Sequence, residues 1–438
     1  MKIMKFGGTS VGSVERLHTL AELINDGSPK LIVLSAMSGT TNALVDISEA
    51  LYHGDNEKAG KLILDLEKWY IQVVSDLYAG KSALLYGLEL VRTHFDFLKS
   101  FTMDMFTVNE EKAVLAQGEL LSTALFQYLL EDKKIPSVLL PALNFMRLNE
   151  NGEPDMDFIS ENLKNILRAY PDDQLFITQG YICRNDFGEI DNLKRGGSDY
   201  TATIIGAAID AEEIQIWTDI DGMHNNDPRI VPNTFPIAKL SFDEAAELAY
   251  FGAKILHPTC ILPAKNKNIP VKLLNTMQPD APGTIISAEN QLEGFRAIAA
   301  KDGITAINIK SGRMLMAYGF LRAVFEVFER NRKPIDMITT SEVAVSVTID
   351  NTDDLADIVD ELSEFGTVKV DTGLSIVSIV GLFPAEKPGY AGAIFDSLRN
   401  IPVRMISYGG SENNMSILVD TKLKKQTLLA LNKGIFGI

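Results

Sequence analysis

The sequence predicts an α/β protein: a mainly parallel sheet covered by helices on both faces, followed by a smaller, duplicated α/β region. Three observations lead there. Apolar runs too short for helices, such as KLIVLSAM at 30–37, read as strands buried on both sides. Helically spaced stretches lie between several of these runs, and such alternation implies parallel neighbours joined by crossovers. Past GTIISAENQLEG (283–294) the texture changes and an internal repeat begins.

In chain order, residues 2–6 form a short apolar strand that runs into Gly7-Gly8. Val14, Leu17, Leu20 and Ile24 then share one face of a helix over 13–24. The strand at 30–37 follows. From Thr41 to about Tyr128 glycine and proline are sparse and leucines recur at helical intervals, which predicts a mostly helical insertion. Strands are expected again at 137–142, 174–182, 213–218 and 269–275, with helices at 198–211 and 241–252. Ligands of such sheets gather where strand C-termini open into loops. The polar motifs described below are expected at those strand ends.

The repeat has three parts. GFLRAVFE (319–326) matches GYAGAIFD (389–396), IDMIT (335–339) matches VRMIS (403–407), and Ser341-Glu342 matches Ser411-Glu412. After Ser341, Val343, Val345, Val347 and Ile349 alternate with smaller or polar residues, as in a half-buried strand. A period of about 70 residues is too long for a solenoid unit and suits a duplicated small α/β module. The plainer alternative is one more α/β domain with coincidental similarity.

A chain of 438 residues has room for two or three domains, and 46% hydrophobic with 23% charged residues is a globular composition. The net charge of −17 argues against sequence-independent nucleic-acid binding and disfavours an anionic membrane surface. An anionic substrate would need a locally positive pocket. Cys183 and Cys260 are the two cysteines, so no disulfide framework is expected, as in a reducing cytosol. The start MKIMKFGGTS has no apolar h-region, and no apolar run is long enough to span a bilayer. A cytoplasmic protein is expected.

Six stretches carry chemistry. In KFGGTSV (5–11) the lysine precedes the glycines, unlike the P-loop order. It is either a tight turn or a site where backbone amides and Lys5 meet a phosphate. The hydroxyls of LSAMSGTTN (34–42) either cap the next helix or donate to an anion. Glu119, in QGEL (117–120), is either a solvated helix charge or a partner for an ammonium group. In LKRGGSDYTA (193–202), Arg195 and a glycine approach to a helix start suit an anion. An ordinary N-cap beside a surface arginine is the alternative. IWTDIDGMHNNDPRI (216–230) ends a strand in Thr218-Asp219 and closes with Asp227-Pro228-Arg229, and FGAKILHP (251–258) puts Lys254 near a helix end. His257 reads as structural. Zinc-hydrolase and serine-nucleophile motifs are missing.

Taken together, these six motifs in their order resemble the aspartate kinase family of the amino-acid kinase superfamily, and GFL with IDMITTSE extends the likeness into ACT regulatory modules. The resemblance spans nearly the whole chain. It implies a three-layer α/β/α kinase domain over 1–290, with the helical insertion at about 41–128. Two ferredoxin-like ACT modules would follow over 295–438, about 311–380 being inserted between 295–310 and 381–438. At this length there is no room for the homoserine dehydrogenase half of bifunctional relatives. The implied reaction passes the γ-phosphoryl group of ATP to the side chain of L-aspartate, giving 4-phospho-L-aspartate, the first step toward lysine, threonine and methionine. A carboxylate nucleophile is already ionised at neutral pH, so no general base is required.

The resemblance also implies roles. Lys5, Asp199 and Lys254 would be catalytic, and Lys5, Gly7, Gly8, Thr218, Asp219, His224, Arg229 and Lys254 would hold ATP. Mg²⁺ would ride on phosphates and water rather than in a protein cage. Ser35, Thr41, Glu119, Arg195 and Ser198 would hold aspartate, with Arg195 on the α-carboxylate and Glu119 on the ammonium. An allosteric amino acid, expected to be L-lysine, would meet Met314, Ala317, Gly319, Phe320, Leu321, Pro334, Ile335, Asp336, Thr340, Ser341 and Glu342. A homodimer or homotetramer would form through the ACT modules. The chain departs from its relatives at His224, where tyrosine is frequent, and at Lys194, which adds positive charge beside Arg195. Two rival readings are a glutamate, acetylglutamate or UMP kinase, and an inactive amino-acid sensor.

Overall fold

The structure, a computed structural model, describes residues 1–103, 106–193, 196–252, 256–288, 293–312 and 318–438. It divides into two compact units, Met1–Met223 with Ile255–Glu289, and His224–Lys254 with Asn290–Ile438.

The first unit opens with strand β1 (Lys2–Phe6), helix α1 (Val14–Leu23) and strand β2 (Lys30–Leu34). Ser13 caps α1 by accepting from the Arg16 N–H. Four helices then form the insertion: α2 (Thr40–Tyr52), α3 (Asn56–Leu77), α4 (Lys81–Ser100) and α5 (Val108–Asp132). The reciprocal Thr107–Glu110 capping box starts α5. Next come β3 (Val138–Leu140), α6 (Met156–Arg168), β4 (Leu175–Gln179), a hairpin of β5 (Ile182–Arg184) and β6 (Ile190–Asn192), α7 (Gly197–Ala208) and β7 (Glu213–Thr218). The chain leaves for β8 (Lys239–Leu240) and α8 (Phe242–Tyr250) of the second unit, then returns with α9 (Pro258–Lys267), β9 (Val271–Asn275) and β10 (Thr284–Ile286).

Within this unit the strand order is β3-β4-β2-β1-β7-β9-β10. All neighbours are parallel except β9 and β10. β2 and β4 are buried at every position, as the unbroken apolar run at 30–37 predicted for β2. The single strand expected over 174–182 is two strands, because Tyr181 adopts a left-handed backbone (φ 67°) that ends the first.

The second unit holds β11 (Gly294–Lys310), α10 (Phe320–Arg330), β12 (Ile338–Thr340), β13 (Ala344–Ile349), α11 (Leu355–Ser363), β14 (Thr367–Leu382), α12 (Tyr390–Ser397), β15 (Met405–Tyr408), β16 (Asn414–Asp420) and α13 (Lys424–Leu431). Its antiparallel sheet runs β12-β13-β11-β14-β16-β15. The long strands β11 and β14 pair along their length and serve both modules: Thr305–Lys310 pairs with β13, whereas the opposite half of β14 pairs with β16. The sequence repeat is visible in α10 and α12, β12 and β15, and β13 and β16. Even the helix entries agree, since Gly319 and Gly389 cap α10 and α12 in the left-handed conformation. Each module closes its own small core, one around Val324, Phe328 and Val347, the other around Ile379, Ile394 and Ile417.

Candidate active site

Phe6 lies level with Leu34 on β2 and Trp217 on β7, so parallel strands release their chains along one edge of the sheet. The chain passes from β1 to β2 on one side of β1, and β7 flanks the other. That reversal opens a crevice beyond the strand ends. A cavity of 740 Å³ occupies it, and Gly8, Ser35, Thr41, Glu119, Ser198, Thr218 and Asp219 all line it.

Lys5 sits one residue before the end of β1, and its Nζ lies 2.6 Å from Asp199 Oδ1 on α7. Both side chains are largely buried. A Cβ on Gly7 would stand 3.4 Å from Lys5 Nζ, and one on Gly8 3.1 Å from the Ala36 carbonyl. The first is ordinary contact, whereas the second shows that Gly8 lets the loops after β1 and β2 approach closely. This close approach gives Gly8 a purpose beyond turning the chain.

Two helix N-termini point into the same cavity. α2 is capped by Gly39 (φ 83°) and α7 by Gly196 (φ 74°), and neither cap has a side-chain hydrogen bond among the described residues. Thr41, Asn42 and Ser198 therefore do not cap, contrary to one of the two readings of these hydroxyls; they lie inside the first turns and line the cavity. Unmet first-turn amides and the positive ends of two helix dipoles suit an anion. Glycine is required at both caps by the positive φ.

Glu119 corrects the expectation that every motif lies at a strand end, because it projects from the interior of α5. It also excludes the solvated-charge reading, being only 4% exposed. Its Oε1 accepts from the Ala36 N–H at 3.2 Å, while Oε2 has no partner among the described residues. Burial pushes its pKa up to about 8, against the lowering effect of the Ala36 amide and the Lys5 charge. A buried carboxyl with a free oxygen favours a cationic partner. Ser122 Oγ donates to the Ser35 carbonyl at 2.8 Å and so ties α5 to the loop after β2.

Across the cavity, Thr218 Oγ1 donates to Asp219 Oδ1 at 3.1 Å. Tyr181 and Leu193 also line it, and sequence reasoning did not single them out. For Tyr181 the available signal was its place directly after Gly180 at the end of a buried strand. A tyrosine held at φ 67° is strained, and such strain concentrates at functional sites.

Not every expected residue joins this cavity: Gly8 lines it, whereas Lys5, Gly7 and Asp199 do not. His224 and Arg229 belong to the second unit, where His224 Nδ1 meets Thr234 Oγ1 at 2.9 Å and Arg229 pairs with Asp227 at 2.8 Å. Lys194, Arg195 and Lys254, together with Met314 and Ala317, lie outside the described residues. Among the remaining effector candidates, Gly319, Phe320 and Leu321 form the start of α10, Thr340 ends β12, and the Ser341 N–H donates to the Ala344 carbonyl at 2.8 Å with Glu342 following. Pro334 and Ile335 lead into Asp336, whose side chain is 2% exposed. Asp336 Oδ1 is 2.7 Å from Lys301 Nζ and accepts from the Tyr250 hydroxyl at 2.8 Å. Both cysteines are buried, which pushes each thiol up to about 12. Among the described residues no helix is long and apolar enough to cross a membrane.

Residues 1–275 match the amino acid kinase family, and residues 377–434 match an ACT domain. The chain is 33% identical to the lysine-sensitive aspartokinase 3 of Escherichia coli strain K12, over 99% of both chains. It is also 33% identical to the chloroplastic aspartokinase 1 of Arabidopsis thaliana, over 99% of this chain and 80% of the relative. Its structure is similar to that of E. coli aspartokinase III in complex with aspartate and ADP, with a TM-score of 0.87, 31% identity and full coverage of both chains. The same enzyme in complex with lysine and aspartate gives a TM-score of 0.81 at 32% identity. The chain belongs to the amino acid kinase family and, within it, to the aspartokinases that carry ACT domains. It is an ATP-dependent kinase.

Proposed function

We propose that the protein transfers the γ-phosphoryl group of ATP to the side-chain carboxylate of L-aspartate, forming 4-phospho-L-aspartate and ADP. One observation carries this reading: a single cavity joins a buried carboxyl with a free oxygen, Glu119, to two uncapped helix N-termini and the Gly8 turn, which suit anions. The Lys5 charge reaches Glu119. An amino acid bound by its ammonium at Glu119 thus has its own carboxylate to offer at the phosphate end. Solved complexes of the E. coli relative with aspartate and ADP support the same pairing of ligands.

Little bond chemistry falls to the protein in such a transfer; it must hold two anions together and balance their charge. Lys5, fixed by Asp199, would meet the transferring phosphoryl group, with Gly7 and Gly8 leaving the backbone open beside it. The N-termini of α2 and α7, with Ser35, Thr41 and Ser198, would hold the amino-acid carboxylates. Arg195 is assigned to the α-carboxylate, and Lys254, His224 and Arg229 to the nucleotide, from their motifs. Thr218 and Asp219 would lie at the phosphates, where the Asp219 carboxylate fits a nucleotide-borne Mg²⁺. That ion would supply charge neutralisation.

Incubation with Mg-ATP and each candidate acid, with hydroxylamine to trap acyl phosphate, tests the reading. Hydroxamate is expected with aspartate. Hydroxamate with glutamate or acetylglutamate but none with aspartate would overturn it. The ACT modules are assigned feedback control by an amino acid, L-lysine, bound around Gly319, Phe320, Leu321, Pro334, Ile335, Asp336, Thr340, Ser341 and Glu342, with assembly of two or four copies through the same modules. Titrating activity against lysine, threonine and methionine checks the effector; inhibition by threonine without any by lysine removes lysine from that role.

A further inference from the structure

The loop after β2 lines the cavity and is held at its ends by backbone bonds from Ser35 to Phe6 at 3.2 Å and from Thr40 to Met37 at 3.0 Å. Side-chain support is added by the helical insertion. Thr40, the first residue of α2, is 1% exposed, and its Oγ1 lies 2.9 Å from the hydroxyl of Tyr70 on α3. Tyr70 is fully buried. Thr40 stands between Gly39 and Thr41, both of which line the cavity. Gly118 lets α5 close on the same point: a Cβ there would lie 2.8 Å from Ala36 Cβ and 3.4 Å from Thr40 Cγ2.

We propose that Tyr70 is a positioning residue for the amino-acid end of the cavity: its hydroxyl, through Thr40, fixes the α2 N-terminus and Thr41 beside Glu119. Tyr70 lies outside every motif that marks the site and never touches the cavity. The inference rests on the aspartate-phosphorylating reading above. Two hydroxyls buried together must pair, since an unpaired one costs more than the bond itself contributes. The pair therefore fixes the helix start to within hydrogen-bond tolerance, where apolar packing alone would let it slide.

The site's electrostatics come from the same arrangement. The Glu119 charge is felt by Tyr70, so the phenol and the carboxyl are electrostatic neighbours. Glu119 is faced by Lys5 from β1, Tyr70 from α3, Tyr181 from the loop after β4 and the Ala36 amide. Exchanging the phenol for a phenyl ring removes a polar neighbour from a carboxyl already raised by burial.

Steady-state kinetics of the full chain test this with Tyr70→Phe, Thr40→Val, their double variant and Thr40→Ser, from about pH 6 to about pH 9. Tyr70→Phe and Thr40→Val are each expected to raise the aspartate KM roughly tenfold, the scale of one buried hydrogen bond, with kcat and the ATP KM within about twofold. The double variant is expected to be no worse than either single one, because both remove one bond. Thr40→Ser, which keeps the hydroxyl, is expected to behave as wild type. An aspartate KM within about twofold of wild type in both single variants overturns the proposal. So do parallel increases in both KM values, which signal general damage. Should Tyr70→Phe fail to fold, the contrast between Thr40→Val and Thr40→Ser decides. A wild-type protein that yields no hydroxamate with aspartate overturns the reaction reading instead.

Discussion

Glu119 and Lys5 carry opposite tasks at the residue scale. Because the folded protein raises Glu119 from its ordinary value to about 8, the free site is mostly protonated at neutral pH, and an arriving ammonium favours its ionised form. The aspartate KM is therefore expected to fall as pH rises toward about 8. Glu119→Gln should flatten that dependence and raise KM by roughly tenfold to a hundredfold, measured by initial rates across pH. The same shift has a stability consequence. A carboxyl with a raised folded pKa contributes stability that is full below its unfolded value and is lost as pH rises through about 8. Melting of the ligand-free protein should thus fall more steeply between those limits in wild type than in Glu119→Gln. Lys5→Ala should lower kcat by about 10²-fold, some 3 kcal/mol of transition-state stabilisation, in a hydroxamate assay. Near-normal turnover would remove Lys5 from the phosphate.

At the scale of elements, the site depends on where helices begin. α7 starts at Gly197 only because Gly196 takes a left-handed backbone, and a Cβ on Gly196 would lie 2.7 Å from Cys260 Sγ on α9. Gly196→Ala should cost about 1–3 kcal/mol of stability and lower kcat/KM, as measured by melting and initial rates. Adding Cys260→Ala should relieve the crowding but not the backbone strain, so recovery is expected to be partial; full recovery would show that contact alone mattered. The insertion was legible as helix from its leucine spacing, and α2 through α5 follow it closely. Its purpose was not legible. Tyr70 and Thr40 are separated by 30 positions, and no local pattern joins a buried phenol to a helix start.

For the whole molecule, the two units cut across the motif order. The segment His224–Lys254 groups with the ACT modules, and Asn432 is one of its anchors. Asn432 is 1% exposed and accepts from Asn225 at 3.1 Å and Asn226 at 3.3 Å. It also donates to the carbonyls of Asn233 at 3.2 Å and Ile438 at 3.1 Å. Asn432→Leu strands those partners and should destabilise this unit by about 1–3 kcal/mol, visible as an earlier melting step. If His224 and Arg229 hold nucleotide, the same variant should raise the ATP KM more than the aspartate KM. An unchanged ATP KM would argue that this segment has no nucleotide role. Conversely, the duplication was legible because both modules keep the same glycine entry, helix and strand in the same order, from Gly319 and again from Gly389.

By itself the sequence determined the α/β class, the helical insertion, the duplicated module and the ordered motifs that mark an aspartokinase. Each of these is written in local spacing or in contiguous residues. Only the tertiary structure decided what those residues do together. It paired Lys5 with Asp199, buried Glu119 with one oxygen free, and placed two uncapped helix starts around one cavity. It also gave KFGGTSV part of its meaning, since a Cβ at Gly8 would crowd the Ala36 carbonyl of the loop after β2. Burial and close approach join residues far apart in the chain, and no single stretch of sequence records them.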